Sequence, residues 1–415
     1  MAKIFPFKGL CPNKDYAKIV ATLPYDVVNT QEAAQQKDNP YHFYHVTRSE
    51  IDLPENIDAH SELVYKRAAE NLQRMINDGI LIQDTSEALY IYELTMNGRV
   101  QTGLVCGTAI SDYDNGLIKK HEHTRPDKEN DRINHIHTTK AQTGIIFLAY
   151  RDIASITTII NKWKQNHETM YDFVADDNIL HKIWKITDNE TIQVLQQLFD
   201  SEVPHSYIAD GHHRSAALSK LHHANQHLGE SNPYKYILSG FFPESELLIM
   251  DYNRVIKDLN GLSVDDFLDA IADKFELTEI LQRPINKPEA IHQFKMYING
   301  RWYDLKAKID SYNPADILSS LDVNILQHNI LSPILNIDDP RTNPNIDFVG
   351  GIRGIMALQE MVDNGQAVAA FACYPVSIQQ LFSIADANEV MPPKSTWFEP
   401  KTRDGLIVLQ TFEQN

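Results

Sequence analysis

The stretch Ser206-Tyr207-Ile208-Ala209-Asp210-Gly211-His212-His213-Arg214-Ser215-Ala216-Ala217-Leu218 constrains this chain more than any other. Its apolar opening reads as a short strand and Asp210-Gly211 as a tight turn. Ala216, Ala217, Leu218 and Leu221 then recur at helical spacing, with Gly229 as a stop. Gly211 has no Cβ, so it admits an unusual backbone angle or the close approach of a ligand. The first helical turn offers unpaired N–H groups and a positive dipole end beside His212, His213 and Arg214, a ready site for phosphate or carboxylate. The plainer alternative is a β-turn-α corner whose histidines cap the helix and whose arginine pairs with a surface acid.

The rest of the chain reads α+β, with mixed, mainly antiparallel sheets. Pro24-Tyr25-Asp26-Val27-Val28 and Asn39-Pro40-Tyr41-His42-Phe43 read as turn-then-strand pieces; Asp26 either lines a cleft or caps a helix start. An amphipathic helix is expected from about 60 to 78, with Leu63, Ala68, Leu72 and Met75 inward and Gly79 ending it. Residues 88–96 alternate apolar and polar, and Asn97-Gly98 turns them back into 100–110 as a hairpin. A strand over 144–150, a helix over 155–165, a hairpin over 171–186 and a helix capped by Asp188 lead to the central stretch. Beyond it, 236–242 and 246–255 read as paired strands. Ser263 caps a helix, Asn299-Gly300 turns a hairpin, and 314–331 is helical. Residues 338–351 read as a loop. Helices near 355–363 and 378–387, a strand at 367–374 and a closing strand at 406–411 complete the chain. The expected divisions are a core over 1–255, a small α+β subdomain over 256–312, and a segment over 313–415 that returns to the site.

At 415 residues the chain can bury a large core. A formal net charge of −18 argues against a groove that tracks a nucleic-acid backbone, though a locally basic pocket for a small anion is compatible with it. Three widely spaced cysteines, Cys11, Cys106 and Cys373, fit a reducing compartment. The N-terminus lacks a signal-peptide core and no apolar run is long enough to span a membrane, so a cytoplasmic protein is expected.

Asp210-Gly211-His212-His213-Arg214 followed by Ser215-Ala216-Ala217 resembles the signature of free serine kinases, members of the ParB and sulfiredoxin-like superfamily in which a Gly-x-x-Arg turn binds phosphate. Over its whole length, from Leu23-Pro24-Tyr25-Asp26-Val27 to Met391-Pro392-Pro393-Lys394-Ser395-Thr396-Trp397-Phe398, the chain also resembles a bacterial family of unknown function. The kinase resemblance implies phosphoryl transfer to the hydroxyl of L-serine, giving O-phosphoserine, and a Glu in a His-Glu pair as the base. His121-Glu122 matches that pair.

Phosphoryl transfer needs an anion cradle, cations, a base and often Mg²⁺. Gly211, His212, His213 and Arg214 supply the cradle, with Arg132, Asp26 and Lys394-Ser395-Thr396 as further binding candidates. Glu122 is the expected base, His121 or Asp131 the next in line, and Asp210 the expected Mg²⁺ ligand. No Walker loop or kinase glycine loop occurs, so pyrophosphate stands beside ADP and ATP as donor. The same cradle would serve a phosphoserine phosphatase. Two other readings are a non-enzymatic effector-binding module and a metal hydrolase, the latter because His121-x-His123 and His135-x-His137 alternate like ligands along extended chain.

Overall fold

In a computed structural model that describes residues 1–411 apart from Arg283, the chain divides into two compact units. One comprises Met1–Leu247 together with the segment from Pro400 onward; the other is Leu248–Glu399. The divisions expected at 255 and 312 differ from these, because residues on both sides of 312 share one sheet.

The first unit is built on a nine-stranded sheet. Its strands are β1 (Ile4–Phe5), β2 (Leu89–Met96), β3 (Arg99–Ala109), β4 (Ile118–Lys119), β5 (Ile146–Tyr150), β6 (Tyr171–Val174), β7 (Leu180–Ile186), β8 (Ser206–Asp210) and β9 (Tyr236–Pro243). They lie in the order β4-β8-β5-β9-β3-β2-β7-β6, with β1 also paired to β3. The β4–β8 and β5–β9 pairs are parallel and the others antiparallel, so the fold is mixed and mainly antiparallel as expected.

The β2–β3 hairpin closes through Asn97 and Gly98, both at positive φ (51° and 79°), which matches the right-handed twist of the flanking strands. β5 is buried at every position, since both faces of the sheet are covered there. Helices α1 (Glu62–Asn77), α2 (Pro126–Thr139), α3 (Ala154–Asn166), α4 (Asn189–Glu202) and α5 (His212–Ala224) accompany the sheet. Ile156 and Ile160 of α3, Leu195 and Phe199 of α4, and Leu218 and Leu221 of α5 share a core with Leu104, Leu148, Ile208 and Phe241 of the sheet. A smaller core gathers Leu72 and Met75 of α1 with Leu10, Phe43 and Val408.

Several local expectations fail. Residues 24–28 form turns, and 39–43 lead into a short helix, Tyr44–Thr47, rather than strands. Leu63 is exposed on α1, whose buried face carries Val64 and Tyr65 instead. The strands near 236–242 and 246–255 do not pair: β9 inserts between β3 and β5, while Tyr252–Ile256 joins the second unit's sheet. Helix over 314–331 is confined to 322–331, and the expected 338–351 loop contains the strand Ile346–Gly350. The second unit's six-stranded sheet is antiparallel throughout, with Tyr252–Ile256 between Ile346–Gly350 and Ala369–Ala372.

Phe199 is fully buried, its ring centroid 5.0 Å from Phe241 and 5.6 Å from Tyr150. Phe199→Ala is expected to destabilise the first unit by about 3–5 kcal/mol, read as a lower urea midpoint in chemical denaturation.

Candidate active site

The central stretch folds as its residues dictate. β8 ends at Asp210, Gly211 takes φ 107° and ψ 26°, and α5 begins at His212. A side chain at Gly211 would be strained at that φ, and its Cβ would meet Ile146 Cγ1 at 3.1 Å. The register of β8 against β5 shifts between Ile208 and Asp210, leaving Ala209 as a bulge. Bulges bend a strand and re-aim the following side chain; here the carboxylate so turned is Asp210.

Asp210 bridges two buried cations. Its Oδ2 accepts a hydrogen bond from Arg214 Nη2 at 2.6 Å, and its Oδ1 one from Lys401 Nζ at 2.9 Å. Burial alone would push the Asp210 carboxyl up, but Lys401, Arg214 and His212 outweigh it and hold the group well below the usual carboxylate range. Arg214 Nη1 also donates to the Ile145 carbonyl at 3.0 Å, while its Nε has no partner among the described residues. Gly144 packs so closely that a Cβ there would come within 2.7 Å of Arg214 Nη1 and would also strike the Asp404 carboxylate.

Behind Arg214 lies a cavity of about 20 Å³, room for roughly one water. Tyr25, Arg132, Thr143, Gly144 and Asp404 line it with Arg214. Arg132 stacks over the Tyr25 ring (3.8 Å to its centroid) and donates from Nη2 to Asp131 Oδ2 at 2.6 Å. Tyr65 and His60 also hold Asp131, at 2.8 and 2.9 Å. Asp404 is raised to about 7, because burial, Asp26 and Asp210 outweigh the pull of Arg214 and Arg132. Asp26 itself is exposed.

The two histidines of the turn face the loop after β4. His121 N–H donates to His212 Nε2 at a long 3.5 Å, which puts the His212 proton on Nδ1, and that atom lies 3.8 Å from Glu122 Oε2. Their rings meet edge to face, with centroids 4.6 Å apart. Burial keeps both imidazoles neutral: His121 falls to about 4 and His212 well below the ordinary value. His213 Nε2 accepts the Arg125 backbone N–H at 3.1 Å, so its proton too sits on Nδ1.

The structure thus brings together Glu122, His121, Asp210, Gly211, His212, His213 and Arg214, with Arg132 lining the neighbouring cavity and exposed Asp26 acting electrostatically on Asp404 and Arg214. Lys394, Ser395 and Thr396 fall in the second unit. There Lys394 lies 5.6 Å from the Tyr252 ring centroid and Ser395 Oγ donates to the Pro392 carbonyl at 2.7 Å. The cradle described above is built from the first unit alone.

One expectation is overturned by geometry. His135 and His137 ride on α2, not on extended chain; positions two apart on a helix face different ways. His135 Nε2 bonds the Val46 carbonyl at 2.9 Å and His137 Nδ1 the Tyr234 hydroxyl at 3.1 Å, so they are not a ligand pair. Asp210, the expected Mg²⁺ ligand, accepts hydrogen bonds from two cations here, and among the described residues no three His, Cys, Asp or Glu side chains converge.

Sequence reasoning missed Lys401 and Asp404. Both lie in Lys401-Thr402-Arg403-Asp404, a charged run that is buried throughout and immediately precedes the apolar Leu406-Ile407-Val408. That juxtaposition was the available signal.

The sequence profile of a family described as "Protein of unknown function (DUF1015)" matches residues 4–324. The chain belongs to that family. No curated protein matches it significantly. Among solved structures, this DUF1015 chain is similar to a free serine kinase in complex with AMP (13% identity, 72% of this chain and 90% of that chain, TM-score 0.38). It is also similar to a conserved hypothetical protein from Pyrococcus furiosus (13%, 74% and 95%, TM-score 0.37). A third is SbnI with C-terminal truncation from Staphylococcus aureus (10%, 73% and 86%, TM-score 0.37). No helix among the described residues is long and apolar enough to cross a membrane.

Asp210→Asn would leave Arg214 and Lys401 buried without their counter-charge, and is expected to cost about 3–5 kcal/mol of stability, read by urea unfolding at pH 7. Asp404 has the opposite linkage. Its folded carboxyl binds a proton more tightly than the unfolded one, so its contribution to stability is lost as pH rises from about 4 to about 7. Asp404→Asn should flatten the stability profile across that window, as followed by melting temperature at half-unit pH steps.

Proposed function

We propose that this protein is a phosphotransferase that acts on the hydroxyl of free L-serine to give O-phosphoserine, with pyrophosphate, ADP or ATP as donor. The observation that supports it best is Glu122 brought to the first turn of α5, its Oε2 3.8 Å from His212 Nδ1, on the same turn that carries buried Arg214. A carboxylate beside a helix N-terminus and fixed cations combines a base with an anion cradle.

In this reading Glu122 accepts the proton of the serine hydroxyl. The serine oxygen forms a bond to phosphorus while the bond from phosphorus to the donor's bridging oxygen breaks, and the leaving group (phosphate from pyrophosphate, AMP from ADP, ADP from ATP) departs with the electron pair. The N–H groups of the α5 first turn and the imidazole of His213 donate to the phosphoryl oxygens. Arg214 and Lys401, set by Asp210, supply positive charge behind them. His212, neutral and with its proton on Nδ1, orients Glu122 without quenching its charge. The reverse direction, loss of phosphate from phosphoserine, would use the same groups.

Phosphorus NMR of the protein with serine, Mg²⁺ and each donor in turn tests the reading; absence of phosphoserine with all three would overturn it. Glu122→Gln keeps shape and loses the base. It is expected to lower turnover by about a hundredfold or more while serine and donor affinities stay within a few-fold. Near wild-type turnover in that variant would place the base elsewhere.

A further inference from the structure

A second site lies in the same unit, in a groove of about 320 Å³ between the N-terminal segment and the return segment. That volume is within the range of small-molecule sites. Thr22 forms its floor. Its backbone is pinned to Asp404 by two hydrogen bonds (Thr22 N–H to Asp404 O, 3.2 Å; Asp404 N–H to Thr22 O, 2.9 Å), and it is only 2% exposed. Yet the Thr22 hydroxyl has no hydrogen-bond partner among the described residues, and neither has the buried Nδ1 of His42 on the same groove. Buried polar atoms are normally satisfied, and two unsatisfied ones lining one concavity point to a polar ligand.

The lining selects the ligand. His42 is neutral at pH 7, since burial and His45 push it down to about 4, so its ring can donate or accept a hydrogen bond without carrying charge. Its ring packs against Tyr44 with centroids 4.5 Å apart, giving one aromatic wall. Glu32, Asp176 and Asp177 place three carboxylates on the groove against two cations, Lys18 at 3.4 Å from Asp176 and Arg403 held by Asp177 and His181. A phosphate or other polyanion would meet those carboxylates. An ammonium group is suited to them and to the aromatic wall.

We propose that this groove binds a free amino acid as its zwitterion, with the ammonium group at Glu32, Asp177 and the aromatic wall, and the carboxylate accepting from the Thr22 hydroxyl and the His42 imidazole. The site is separate from Glu122 and Arg214 and does not depend on the phosphotransfer reading.

Saturation-transfer NMR on the full chain provides the test, with L-alanine (no hydroxyl to accept phosphate), ethanolamine (no carboxylate) and propionate (no ammonium) as probes. The expected result is saturable binding of L-alanine at millimolar concentration and loss of about tenfold or more in affinity for the single-charge probes. Thr22→Val, nearly isosteric, should weaken amino-acid binding about tenfold, as loss of a hydrogen bond to a charged group predicts. His42→Phe is the second variant and decides the matter if Thr22→Val does not fold. The proposal is overturned if L-alanine does not bind, or if its binding survives both groove substitutions.

Discussion

The ion triad Lys401–Asp210–Arg214 is the interaction on which the rest of the site depends. Burying three charges is costly, and the cost is offset only when each finds its partner with good geometry. Here one carboxylate serves two cations, and the geometry is exacting: the Ala209 bulge turns Asp210, the φ of Gly211 starts the helix at once, and Arg214 returns one turn later to meet Asp210. Gly144 completes the fit by leaving room for the guanidinium against β5. A strand end, a helix start and a distant chain segment are thereby locked to one another by electrostatics rather than by apolar packing.

Around this fixed charge the histidines behave as dipoles. Burial keeps His121 and His212 neutral, and the hydrogen bonds that His212 and His213 accept at Nε2 place their protons on Nδ1. The division of labour is physical. Arg214 carries charge that cannot be titrated away near neutral pH, while the imidazoles carry directional N–H groups. Glu122, partly exposed beside His212, retains solvent on one side and so can exchange protons with it.

Much of the fold was legible from local rules. The Asn97-Gly98 hairpin, the Asp188 cap, the Asn299-Gly300 hairpin and the strand-turn-helix at 206–218 all appear because turn chemistry and apolar period agree there. Helix α2 escaped notice for the complementary reason. It has helix-start signals in Pro126, Asp127 and Glu129, but its buried face is made of Glu129, Asp131, Arg132, His135 and Thr139, with Ile136 the lone large apolar residue among its buried positions. A face stabilised by ion pairs and hydrogen bonds leaves no hydrophobic period to read. The strand Ile346–Gly350 was obscured by the Pro and Asn residues before it, and Tyr252–Ile256 was assigned to the wrong neighbour because pairing between distant segments is not written in local pattern. The turn at Gly211 was legible as a strand-to-helix corner; the pairing of Lys401 with it was not, since Asp210 lies far away in sequence and no spacing rule connects them.

The first unit is discontinuous, interrupted at Leu247 and resumed at Pro400. During synthesis the nine strands of its sheet and the whole of α5 leave the ribosome well before Lys401 does. Until then Asp210 and Arg214 form an incomplete pair, and Thr22 has no Asp404 to bond. The turn at Gly211 is therefore among the last parts of the molecule to mature, although its own residues lie mid-chain. A nascent chain can hold a folded sheet and still lack a finished cradle, which makes completion of the second unit's polypeptide a timing signal for assembly of the first.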